Sequence, residues 1–282
     1  MSQGIAVLQM SSSANRVENL VCAEALIEKA VEQGAKVLVL PENFALLGVE
    51  DVYQAGLSET QNSDDSLRQW LAAMARKYGV WLVAGSIPLA SRPDGTQLDQ
   101  HIRAACLVFN EHGDEVARYD KIHLFDVDVA DNYGSYRESD TVEPGDQLVV
   151  VDTPCGRLGL SICYDLRFAE QFYQLREQGA EIITVPSAFT AMTGAAHWEV
   201  LLRARAIETQ CYVVASNQTG QHSQERQSYG HSMIVDPWGE VLVSLSDEIG
   251  VKSTVIDLEL LSDIRQRMPI KNHHRLSFNA DL

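Results

Sequence analysis

Arg157-Leu158-Gly159-Leu160-Ser161-Ile162-Cys163-Tyr164-Asp165-Leu166-Arg167-Phe168 is the stretch on which the fold turns. Residues 157–162 read as a buried strand, and helical spacing of apolar residues begins near Phe168 and runs to 178. Cys163 therefore sits on a strand-to-helix turn, where layered α/β folds present reacting groups. The same alternation extends outward from this point. Upstream, 5–10 reads as a buried strand, 16–33 as a helix stopped by Gly34, and 37–40 as a second buried strand. An amphipathic helix with an Asp cap is expected over 64–78, followed by a strand over 80–85. Strand pairs are expected at 102–110 with 115–119, turning at His112-Gly113-Asp114, and at 148–152 with 157–162, turning at Pro154-Cys155-Gly156. Downstream come a strand at 182–185, a helix at 195–210, and strands at 212–216, 232–235, 240–245 and 252–257. No linker-like tract, low-complexity segment or tandem repeat interrupts the pattern. The expectation is one α/β domain over 1–282, with two related halves and sheets covered by helices.

Composition narrows the function. Of the 282 residues 45% are hydrophobic and the charges are well mixed, which suits a sizeable core and argues against disorder. Lys and Arg number 22 against 39 Asp and Glu, a formal charge of −17. So acidic a surface repels phosphate backbones and anionic headgroups, so neither nucleic acid nor a membrane is an expected partner. A locally basic pocket for a small anion remains compatible with it. Residues 1–10 lack the basic and long apolar regions of a signal peptide, and no apolar run approaches the roughly 20 residues that span a bilayer. Five cysteines (Cys22, Cys106, Cys155, Cys163, Cys211) with no CxxC pair argue for reduced thiols and a cytoplasmic location. Four of the five read as small buried hydrophobes.

Three side chains stand just past strand ends. Glu42 follows 37–40 and Pro41, Lys121 follows the strand ending near Tyr119, and Cys163 follows 157–162. A thiol on such a turn lies near backbone N–H groups and a helix N-terminus, which favour thiolate, and the Tyr164 N–H can donate to an oxyanion. Glu42 suits a general base. Lys121, in an aromatic-rich loop beside Asp120, suits a fixed positive charge for a developing oxyanion. Taken singly, each residue has a plainer use: Cys163 as buried packing, Glu42 as a cap, Lys121 as a solvated charge. His123, His197, His222, His231, His273 and His274 lack the company of a metal site, and no dinucleotide-binding or P-loop glycine pattern follows a strand, so no metal or cofactor is expected.

Read together, three segments resemble the nitrilase superfamily of carbon-nitrogen hydrolases. Leu40-Pro41-Glu42-Asn43-Phe44 looks like its glutamate motif, and Tyr119-Asp120-Lys121-Ile122-His123-Leu124-Phe125 like its lysine motif. Gly159-Leu160-Ser161-Ile162-Cys163-Tyr164-Asp165-Leu166-Arg167-Phe168 looks like its cysteine motif, and all three stand in the family's order. The resemblance covers about 5–257. It implies a four-layer α-β-β-α sandwich that pairs into a homodimer or larger homo-oligomer. It also implies cofactor-free hydrolysis of a small amide through a cysteine thioester, with Glu42, Lys121 and Cys163 in the family's three roles. Glu138, in Tyr136-Arg137-Glu138-Ser139, resembles the second glutamate of the superfamily, which orients the lysine or the substrate. Residues from about 259 to 282 are expected to form a C-terminal extension used in packing or oligomer contacts.

The segments 196–215 and 229–239 are similar to one branch of the superfamily. Members of that branch cleave the amide of a glutathione whose amino group has become a keto group, releasing 2-oxoglutarate and Cys-Gly. Within 196–215, Arg203, Arg205 and Glu208 also fit an internal salt-bridge network. Arg167 fits either a bidentate grip on a substrate carboxylate or an ion pair with Asp165 or a neighbouring Glu. The rival expectations are an ω-amidase acting on a small amide such as 2-oxoglutaramate, and a catalytically silent interaction protein on the same fold.

Overall fold

The apolar runs become strands because most of them are buried on both faces, so neither face needs polar residues. A computed structural model describes residues 3–48, 51–61, 65–129, 134–224 and 226–275. The first half holds β1 (Gly4–Gln9), α1 (Arg16–Glu32), β2 (Ala35–Val39), α2 (Val52–Thr60), α3 (Leu67–Tyr78), β3 (Trp81–Val83), β4 (Ile87–Leu89), β5 (Arg103–Phe109) and β6 (Glu115–Asp120). A short hairpin, β7 (Asp126–Asp128) and β8 (Ser135–Arg137), leads onward. The second half holds β9 (Val150–Thr153), β10 (Gly156–Leu160), α4 (Ala169–Glu177), β11 (Ile182–Thr184), α5 (Ala191–Thr209) and β12 (Tyr212–Ala215). It continues with β13 (Thr219–Gln221), β14 (Gln227–Tyr229), β15 (Met233–Val235), β16 (Val241–Ser244), β17 (Gly250–Val255), α6 (Leu258–Arg267) and α7 (Ile270–His273).

One sheet runs β17-β1-β2-β3-β5-β4, with β6 also paired to β5, and the other runs β16-β15-β12-β11-β10-β9. In each sheet a parallel trio joined through helices, β1-β2-β3 or β10-β11-β12, is extended by antiparallel neighbours. Alternation along the strands sorts the side chains into layers. Ile5 and Val7 of β1, Val39 of β2 and Val108 of β5 join the core shared with the second sheet. Their neighbours Ala6, Leu8, Leu38 and Leu107 join the core beneath α1 and α3. On the far side, Phe172 and Leu175 of α4 and Trp198 and Leu202 of α5 cover the second sheet. The result is the four-layer α-β-β-α sandwich. No helix among the described residues is long and apolar enough to cross a membrane.

Several boundaries differ from expectation for local reasons. The helix expected to begin at 64 with an Asp cap begins instead at Leu67, where the Ser66 hydroxyl accepts the Gln69 N–H at 3.2 Å. Asp64 lies outside the described residues. The short strands β4, β7, β8, β13 and β14 and the helix α2 lie outside the expected elements. Past β17, Asp257 caps α6 by accepting the Glu259 and Leu260 N–H groups. Arg265 of α6 then donates to Gln210 O at 3.0 Å and Ala180 O at 2.9 Å, so this first part of the expected extension packs on its own chain. The part over 276–282 lies outside the described residues. One glycine bears on the site: a Cβ on Gly85, at φ +60, would lie 2.0 Å from Pro41 O, beneath the turn that carries Glu42.

Candidate active site

The carboxyl ends of β2, β6 and β10 deliver Glu42, Lys121 and Cys163 to one place, two from the first sheet and one from the second. All three are buried, with relative exposures of 5%, 2% and 8%. The Lys121 ammonium donates to Glu42 Oε1 at 2.9 Å and to both Glu138 oxygens at 2.8 and 2.9 Å. Glu42 Oε2 accepts the Ala188 N–H at 2.8 Å, and Glu138 Oε2 accepts the Phe125 N–H at 2.6 Å. Gln218 holds the main chain here, its Nε2 donating to Glu42 O at 3.0 Å. Cys163 opens a single 3-10 turn over Cys163–Arg167. Its backbone is left-handed at φ +46, and its N–H donates to Pro186 O at 2.9 Å. The four side chains line a cavity of about 360 Å³.

Burial sets the electrostatics. On its own it would depress the Lys121 ammonium, but the carboxylates of Glu138 and Glu42 outweigh it and hold the amine protonated well above the ordinary range. Burial pushes the Glu138 carboxyl up, opposed by Lys121 and assisted by Glu42. It also pushes the Cys163 thiol up, and the Glu42 charge adds to that against the counter-effect of Lys121. Both effects act against the thiolate that the turn is expected to favour. Cys163 alkylation by iodoacetamide should therefore keep accelerating beyond about pH 9. A plateau near neutrality would mean that the thiolate is already formed.

Lys121 also sits between two carboxylates that would otherwise face each other in a buried site. Lys121→Met should cost roughly 3–5 kcal/mol of stability at neutral pH, read from the urea midpoint. The sign of the pH dependence follows from the unpaired carboxyls, whose folded pKa would rise above the unfolded one. The variant's deficit against the parent should thus narrow as the pH falls toward about 5, because the folded state then binds the extra proton. An unchanged midpoint at neutral pH would refute this account.

The neighbouring residues are placed as follows. The Tyr164 ring meets Phe125 and Phe168 edge-on at 5.1 and 5.5 Å. The Tyr164 N–H belongs to the first turn of the 3-10 segment, where an N–H has no partner within the helix. Arg167 makes no ion pair with Asp165, or with any carboxylate among the described residues, so that alternative falls. Its guanidinium lies over the Phe189 and Tyr164 rings at 5.1 and 5.7 Å, and its Nη1 is 3.3 Å from His197 Nδ1. It lines the cavity, as do Arg137 and Arg226. The expected network on α5 resolves into two separate pairs, Arg203–Glu199 at 3.4 Å and Arg205–Glu208 at 2.7 Å. Arg205 also donates to Leu166 O at 2.9 Å, bracing the turn after Cys163. Two contributors had no sequence signal: the Ala188 N–H, because every non-proline residue has one, and Gln218, which reads as an ordinary polar residue. Among the described residues no group of His, Cys, Asp and Glu is arranged to hold a metal.

The family model described as carbon-nitrogen hydrolase matches residues 4–266. The chain is 45% identical over 271 residues to the deaminated glutathione amidase of Yersinia enterocolitica, covering 96% of this chain and 92% of that protein. It is 44% identical to the mouse protein of the same name, covering 96% and 83% respectively. Among solved structures, the C. elegans NitFhit protein superposes with a TM-score of 0.85 at 40% identity. That match covers 97% of this chain, which spans 65% of the NitFhit chain. Saccharomyces cerevisiae Nit3, a member of branch 10 of the nitrilase superfamily, superposes with a TM-score of 0.81 at 29% identity, covering 100% and 97%.

Proposed function

This chain belongs to the carbon-nitrogen hydrolase family and is an amide-hydrolysing enzyme, and on that premise we propose that Cys163, Glu42 and Lys121 carry the reaction. The observation behind this is the Lys121 ammonium set between two buried carboxylates beside a buried thiol, at one cavity. The Cys163 sulfur attacks the amide carbonyl carbon while its proton passes to Glu42. The tetrahedral oxyanion is balanced by Lys121 and the Tyr164 N–H. The C–N bond then breaks as Glu42 returns the proton to the leaving nitrogen, which leaves a thioester. Glu42 next takes a proton from water, the hydroxide adds to the thioester, and the carboxylic acid departs as the sulfur regains its proton. Glu138 keeps Lys121 in place throughout.

The substrate we assign is deaminated glutathione, the compound named for relatives 40–45% identical to this chain. Its products are 2-oxoglutarate and Cys-Gly. The cavity supports this choice. At about 360 Å³ it falls within the range of small-molecule pockets, and Arg137, Arg167 and Arg226 on its lining suit a substrate with a carboxylate at each end. Leu46, Leu47 and Val52 on the same lining suit the less polar middle of the leaving dipeptide. We further assign a cytoplasmic location, supported by five unpaired cysteines, and a homodimer or larger homo-oligomer, supported by the exposed apolar side chains Val200 and Ile207 of α5 and Trp238. Mass-spectrometric assay of the purified protein against deaminated glutathione and 2-oxoglutaramate in parallel decides the substrate. Release of Cys-Gly at the higher kcat/KM is expected. Preference for 2-oxoglutaramate would transfer the chain to ω-amidase chemistry with the same three residues.

A further inference from the structure

The Asp165 carboxylate is fully buried, lies outside the lining of the cavity, and has no part in the steps above. A hydroxyl and two backbone N–H groups donate to it, and an imidazole nitrogen meets it. Its Oδ2 accepts the Tyr119 hydroxyl at 2.6 Å and the Ile162 N–H at 2.8 Å. Its Oδ1 accepts the His123 N–H at 3.0 Å and meets His123 Nδ1 at 2.8 Å. With three donors already on the carboxylate, a proton on His123 Nδ1 would make a fourth. The positions of these partners matter more than their number. Tyr119 and His123 flank Lys121 at two residues on either side, while Ile162 immediately precedes Cys163. The Tyr119 hydroxyl is further tied by Gln171 Nε2 at 2.9 Å, and the His123 ring stacks on Phe168 at 3.6 Å between centroids.

We propose that Asp165 is a positioning residue whose single carboxylate ties the lysine loop to the nucleophile turn and so sets the separation of the Cys163 sulfur from the Lys121 ammonium. Cys163 needs such a tie. A non-glycine residue at φ +46 is strained and keeps that conformation only where its surroundings over-determine it. Two bonds do so from either side: the Ile162 N–H is held by Asp165, and the Cys163 N–H by Pro186 O. Releasing the first lets the turn relax and moves the sulfur, and displacement of a reacting atom by about 1 Å costs on the order of 10²-fold in rate. Because Asp165, Tyr119, His123 and Ile162 do not line the cavity, substrate binding should survive.

Asp165→Asn tests the idea, because an amide is the same size but must aim its NH₂ at donors. Turnover of deaminated glutathione is measured per folded molecule, counted by circular dichroism and by complete alkylation of Cys163. The expected result is a loss in kcat on the order of 10²-fold with KM held within about threefold. A kcat per folded molecule within about threefold of the parent, or a rise in KM alone, would overturn the proposal. Should Asp165→Asn not fold, Tyr119→Phe decides: it keeps the ring and removes one donor, and kcat should fall by roughly 3–10-fold at unchanged KM. An unchanged kcat there overturns the proposal equally. Asp165 acts this way only if Cys163 and Lys121 do the chemistry proposed above. Retained turnover in Cys163→Ala would remove that chemistry, whereas a silent Asp165→Asn with an inactive Cys163→Ala removes the positioning role alone.

Discussion

Cys163→Ala is expected to fold as the parent does and to lose turnover by about 10⁴-fold or more. The fold should tolerate the change. Alanine keeps a Cβ, so the left-handed backbone at φ +46 is neither eased nor worsened, and only one sulfur atom leaves the buried turn. The chemistry should not tolerate it, since no thioester can form and the remaining groups have nothing to activate except water. Cys163→Ser should be nearly as inactive. A hydroxyl is far less acidic than a thiol, and the surroundings already raise the thiol through burial and the Glu42 charge. Mass spectrometry supplies a second readout: the parent should accumulate an acyl adduct on the peptide bearing Cys163, and neither variant should. Turnover by Cys163→Ala at a tenth of the parent's rate would assign the nucleophile elsewhere.

Glu42→Gln should lower kcat by roughly 10²–10⁴-fold, the range for a lost general base. The substitution also strains the site, because Glu42 accepts on both oxygens, from Lys121 and from the Ala188 N–H. A glutamine must turn its NH₂ toward one of these donors, so stability should fall by about 1–3 kcal/mol. One consequence separates the two roles. The Glu42 charge raises the Cys163 thiol, so removing it should bring the thiol down and make alkylation at alkaline pH faster than in the parent. Slower turnover with faster alkylation identifies a base acting on Cys163. Lower stability with kcat preserved would instead make Glu42 an anchor for the Ala188 N–H.

The order of strands and helices was legible in the chain because both sheets are covered. β1, β2, β5 and β12 are buried on both faces, which writes them as continuous apolar runs such as Val37-Leu38-Val39-Leu40. Helices with a clear punctuation mark, such as α1 ended near Gly34, were equally plain. Where local signals compete, they misled: two aspartates precede Leu67, yet the serine between them and the helix takes the cap. The three residues proposed to react were singled out by their motifs and by their places just past strand ends, both of which are properties of short segments.

Their assembly is a different matter. That Glu42 lies against Lys121 and Ala188 joins positions 79 and 146 residues apart, and Lys121 is bridged to Glu138 from a separate turn. No local pattern encodes such pairings, since they arise only when two sheets stack and bring the ends of β2, β6 and β10 together. The surroundings that raise the Cys163 thiol are out of reach of local sequence for the same reason. Proximity to a helix start can be read from sequence, but desolvation and a neighbouring carboxylate exist only in the folded core, and there they prevail. Arg167 is free of Asp165 because that carboxylate is already filled by Tyr119, Ile162 and His123. The sequence by itself thus determined the main alternation of strands and helices and which residue types reach the site. Only the tertiary structure decided their partners and charge states, because both depend on groups that meet through packing rather than along the chain.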